Sequence, residues 1–76
     1  MQQKLAIKPG AINLVQVLKF SGLAESGAHA KALVADGTVR VNGEVELRMR
    51  RQLAVGDLVQ LDEGPGVELV GSSHSD

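Results

Sequence analysis

From Ser26 to Arg51 the chain reads SGAHAKALVADGTVRVNGEVELRMRR, and nearly every residue there restricts what can form. Ser26 suits a helix N-cap, because its hydroxyl can accept a hydrogen bond from a free backbone N–H of the first turn. Ala28, Ala30, Ala32 and Ala35 favour helix, and Ala30, Leu33 and Val34 form an i, i+3, i+4 apolar stripe. Asp36-Gly37 stops that helix, since glycine takes the left-handed conformation after a C-cap without penalty. Val39-Arg40-Val41 then alternates apolar and polar and runs into Asn42-Gly43, a strong tight-turn signal. Arg48, Arg50 and Arg51 follow almost at once. The unit is expected to pack an apolar face inward and leave a cationic edge outside.

The flanking segments complete a small α+β domain. Gln3 to Lys8 alternates weakly, as a short edge strand would, and Pro9-Gly10 ends it. Asn13 can cap a first helix with Leu14, Val17 and Leu18 inward and Lys19 outward. Phe20, between Leu18 and Leu23, is expected in the core. Ser21-Gly22 closes this helix so soon before the second that the two must lie against each other. Beyond the arginines, Gly56-Asp57 is a turn signal after Leu53 and Val55, and Leu58 to Leu61 reads as a strand. Asp62 to Gly66 then forms a hairpin loop leading to Val67–Val70. The expected layout is β-α-α-β-β-β: two short packed helices against a small, mostly antiparallel sheet. One domain over 1–71 and a flexible polar tail over 72–76 are expected.

Charge is distributed unevenly. The net charge is −1, yet residues 1–51 hold all eight Lys and Arg against four acids, a net of +4. Residues 52–76 hold five acids and no Lys or Arg, a net of −5. Such asymmetry suits a side that faces a polyanion and an opposite acidic side. Phe20 is the only aromatic residue, so no platform for stacking single-stranded bases is expected. Nucleic-acid contacts would run through phosphates, sugar hydroxyls and shape.

Other functions find little support. With no cysteine there is neither a disulfide nor a thiolate metal site, which fits a reducing cytoplasm. No signal peptide and no membrane span are expected, and no small-molecule substrate or cofactor is implied. His74 has no partner at metal-ligand spacing, and His29, one turn before Leu33, is expected to be packed or half-buried. The adjacent acids Asp62 and Glu63 are expected to be solvated. No Cys or Tyr nucleophile and no oriented Ser–His pair is present, so catalysis is not expected.

The succession Leu14, Leu18, Gly22-Leu23-Ala24, Ser26, Ala30-Lys31, Leu33-Val34, Gly37, Val39-Arg40-Val41-Asn42-Gly43 and Val55-Gly56-Asp57 resembles a known family. This is the RNA-binding domain named after small-subunit ribosomal protein S-four, and the resemblance covers roughly residues 13–61. The short first strand and lack of an attached domain look most like its small stand-alone bacterial members, the YbcJ-like proteins. The resemblance implies an alpha-L motif, in which the second helix and the following loop and strand grip structured RNA, ribosomal or transfer RNA among the candidates. Carried over residue by residue, it implies an RNA face of Ser26, Lys31, Arg40, Asn42, Arg48, Arg50 and Arg51, with Lys19 near the helix junction. The chain departs from the family in two places. Asn13-Leu14-Val15 stands where many members have Arg-Leu-Asp, and Gly27 stands where many carry Arg, which weakens the expected phosphate grip.

Each candidate has a plainer role beside the one implied. The arginine cluster could simply discourage edge-to-edge strand pairing. Arg40 could pair with Glu44 or Glu46 across the turn, Asn42 could serve only the turn, and Ser26 only the cap. The rival functions are a protein-interaction module for an acidic partner and a ubiquitin-like sulfur carrier. The carrier would need a C-terminal Gly-Gly, and this chain ends His74-Ser75-Asp76. A monomer is the default expectation.

Overall fold

A computed structural model describes residues 2–7, 12–62 and 64–71. The elements are β1 (Gln2–Ile7), β2 (Ile12–Asn13), α1 (Leu14–Phe20), α2 (Gly27–Ala35), β3 (Val39–Val41), β4 (Glu44–Val45), β5 (Gln52–Leu53), β6 (Leu58–Leu61) and β7 (Gly66–Gly71). Five strands form one mixed sheet in the order β1-β7-β6-β3-β4, and β2 and β5 form a separate antiparallel pair. Within the larger sheet β1 and β7 run parallel, and the other neighbours are antiparallel. This is the expected two-helix α+β architecture, with a further two-stranded pair in which β2, just before α1, meets β5, just after the arginines. The expectations for Pro9-Gly10, Glu63, His74 and the 72–76 tail fall outside the described residues.

Alternation sorts the sheet into two faces. Val39, Val41, Val59, Val67, Leu69 and Ile7 are buried, and they meet Leu14, Val17 and Leu18 of α1 and Ala30 and Val34 of α2 in one core. Register places Val41 beside Val59 and Val59 beside Val67, so the β-branched residues form a continuous row. Residues at the alternate positions, Lys4, Arg40, Gln60 and Glu68, take the other face. Helices therefore cover one side of the sheet only.

Local chemistry ends the helices where the sequence indicates. Asn13 and Ser26 are the N-caps, and the helices close at Ser21 and Asp36. Gly37 has φ +74°, and Asn42 and Gly43 at +53° and +89° make the turn between β3 and β4. Phe20 departs from expectation: it is 58% exposed. Its helix ends at that residue and the chain turns through Ser21-Gly22. Ala24 then occupies the core, with its N–H bonded to the Leu18 carbonyl.

Candidate nucleic-acid interface

Two of the arginines of residues 48–51 are organised by Glu46, which the sequence offered as a partner for Arg40. Glu46 follows β4, donates its N–H to the Val39 carbonyl at 3.0 Å and is 7% exposed. Its Oε2 accepts from the backbone N–H of Arg48 at 2.9 Å and from Arg48 Nε at 3.0 Å. Its Oε1 accepts from Arg48 Nη2 at 3.2 Å and from Arg51 Nη1 at 2.7 Å. These bonds, Arg48's first and then Arg51's, hold the carboxyl down to about 2 although burial opposes ionisation. Glu46 in turn raises the pKa of Arg48. One carboxylate thus fixes two guanidinium groups. The Arg48 side chain stays 75% exposed and that of Arg51 33% exposed, which leaves part of each open to a ligand.

Backbone bonds dock this turn on the start of α1. The Leu14 N–H donates to the Arg51 carbonyl at 3.0 Å and the Val15 N–H to the Met49 carbonyl at 3.3 Å. Asn13 Oδ1 accepts from the Gln16 N–H, and Gln16 Oε1 accepts from the Asn13 N–H, both at 2.9 Å. All four N–H groups that a helix start leaves free are therefore satisfied. The β2–β5 pairing, Ile12 with Leu53 and Asn13 with Gln52, fixes the same junction from the other side of the turn.

Docking brings Arg50 to Lys31. An open groove of about 320 Å3 is lined by Asn13, Val15 and Gln16 of the α1 start, Lys31 of α2, and Met49 and Arg50 of the turn. Both cations are exposed, and neither pairs with an acid among the described residues. Lys19 is exposed on α1, four residues beyond Val15 and three beyond Gln16, and so extends the same helix face. Ser26 is exposed at the start of α2, where its hydroxyl accepts from the His29 N–H at 3.1 Å.

The other candidates lie elsewhere. Arg40 is on the sheet face turned away from the helices. Its partner is neither Glu44 nor Glu46: Nε meets Asp62 Oδ1 at 3.4 Å and Nη1 meets the Gly43 carbonyl at 3.4 Å. Asn42 uses its amide internally, accepting from the Leu58 N–H at 2.9 Å and donating to Asp57 Oδ1 at 3.1 Å. His29 corrects the expectation of a packed residue. It is exposed at the third position of α2, and its Nδ1 accepts from the Glu25 N–H at 2.9 Å, so it acts as part of the cap. Among the described residues no group of three or more His, Cys, Asp or Glu side chains could hold a metal ion, and no helix is long and apolar enough to cross a membrane.

Comparison with known proteins matches residues 5–69 to the family model of the S4 domain. The chain is 41% identical to the Escherichia coli (strain K12) protein YbcJ over 59 residues, 78% of this chain and 83% of that protein. It is 36% identical over 62 residues to a Bacillus subtilis (strain 168) protein named as a probable ribosome maturation protein, RlbA, covering 82% of this chain and 87% of that one. The solution structure of YbcJ from E. coli, described as revealing an αL motif involved in RNA binding, superimposes with a TM-score of 0.64. The two are 37% identical, and the match covers 92% of this chain and 86% of YbcJ.

Proposed function

The chain belongs to the S4 domain family, and from that premise we propose that it binds structured RNA, of ribosomal or transfer type, without catalysing a reaction on it. The observation that carries this reading is the convergence of Lys31 and Arg50, from separate elements, on one groove where neither has an acidic partner among the described residues. Arg48 and Arg51, next to Met49 and Arg50 in the chain, are held in place by Glu46 and still partly open. Guanidinium groups fixed in this way can meet phosphate oxygens in planar, two-pronged contacts at little further ordering cost. Lys19 and the start of α2 at Ser26 continue the phosphate-binding face, where a helix N-terminus suits an anion. Arg40 and Asn42 in this reading serve the fold, since their polar atoms are engaged by Asp62, Gly43, Leu58 and Asp57. The known relatives support the ligand class: one is described by an RNA-binding motif and another is named for ribosome maturation.

Titrating an unlabelled RNA hairpin into the isotopically labelled protein and following backbone amide resonances tests the face. Shifts concentrated at 13–19, 26–31 and 48–51 are expected. Shifts confined to Arg40 and the open face of the sheet would contradict the assignment.

A further inference from the structure

The Lys31–Arg50 groove holds more than charge. Its floor is Val15 and Met49, both half-buried and packed against the core. On its rim, Asn13 and Gln16 spend their carboxamide oxygens on each other's backbone N–H groups. Their NH2 groups meet no protein acceptor among the described residues, so each presents donors only. An apolar floor, two amide donors and two cations call for a ligand with a flat apolar body, acceptor atoms at its edge and an attached anion. A duplex offers its phosphates to such a surface but keeps its bases stacked inside. An unpaired nucleotide offers all three features, and about 320 Å3 is at the lower end of the range for small-ligand sites. Resting on the RNA-binding reading above, we propose that the groove receives one unpaired nucleotide of the RNA. The phosphate lies between Lys31 and Arg50, the base lies over Val15 and Met49, and the Asn13 and Gln16 amides donate to its edge.

The test compares a labelled RNA hairpin carrying a single bulged nucleotide with the same hairpin fully paired, by fluorescence anisotropy. The wild type is expected to bind the bulged hairpin more tightly by on the order of tenfold, what burying about 55 Å2 of apolar surface gives. Val15→Phe fills the groove without changing charge and is expected to bring that ratio close to one. Gln16→Glu keeps the cap, since a carboxylate also accepts from the Asn13 N–H, and guards against a folding artefact in the first variant. It replaces the amide donor with an anion and is expected to weaken the bulged hairpin more than the paired one. Equal binding of both hairpins by the wild type, or a preference that survives Val15→Phe in a folded protein, would overturn the inference alone. Binding of neither hairpin would overturn the RNA-binding reading as well. Tighter binding of a poly-glutamate peptide of equal charge than of the bulged hairpin would overturn it in favour of an acidic protein partner.

Discussion

Asn42 Nδ2 donates to Asp57 Oδ1 at 3.1 Å, which ties the turn after β3 to the turn before β6. Asn42 Oδ1 accepts from the Leu58 N–H, and Asp57 Oδ2 accepts from the Ala54 N–H, both at 2.9 Å. Val39–Gly43 and Val55–Asp57, the most distinctive segments of the sequence pattern, are thus two halves of one hydrogen-bonded joint. Asn42 holds φ at +53°, a conformation asparagine tolerates better than most residues. A bridging amide of this kind serves the fold before it serves a ligand.

Asn42→Ala should therefore destabilise the fold by about 1–3 kcal/mol, through two lost hydrogen bonds and a strained φ. RNA affinity measured well below the melting temperature should stay within about twofold, the scatter of a non-contact substitution. Chemical denaturation together with an anisotropy titration checks both halves.

Glu46 gives a pH signature. Its carboxyl lies at about 2 in the fold against an ordinary value of 4.5, so the unfolded chain takes up the proton first as pH falls. The stabilisation is fully present above 4.5 and is lost as pH drops through that window toward about 2. Glu46→Gln removes it. The melting temperature of the variant should lie below that of the wild type at neutral pH, and the gap should close by about pH 2. Paired thermal melts over that range measure it; a constant gap would show that the carboxylate charge is not the cause.

Phe20 should matter little to stability. At 58% exposure it leaves no large cavity when truncated. Phe20→Ala should cost less than about 1.5 kcal/mol, against about 3–5 kcal/mol for truncating a fully buried phenyl ring. Urea unfolding distinguishes the two.

Local signals could be read directly and non-local ones could not. Asn13, Ser26, Asp36-Gly37 and Asn42-Gly43 act within a turn of their own position, so residue chemistry alone identifies them. The parallel pairing of β1 with β7 joins the two ends of the described chain, and no short-range pattern encodes such a register. Phe20 misled because an apolar residue between two leucines fits a core, whereas the helix end turns it out. Glu46 was assigned the wrong partner for a related reason: spacing across the Asn-Gly turn offers Arg40, whereas a chain reversal brings Arg51 back to it beside Arg48. For the candidate face, residue type marked Lys31 and Arg50 as cations. Only the docking of the turn on α1, through the Met49 and Arg51 carbonyls, places them at one groove.

The most direct test of the account is the salt dependence of RNA affinity for the wild type and a Lys31→Ala/Arg50→Ala variant. These two residues are exposed and have no acidic partner among the described residues, so their loss leaves Glu46 and its two arginines intact. Each phosphate contact contributes about 0.7–0.9 to the log–log slope. The variant should bind more weakly at low salt and show a slope shallower by roughly 1.4–1.8, two contacts' worth. Unchanged affinity and slope in a folded variant would contradict the assignment of the RNA face to this groove.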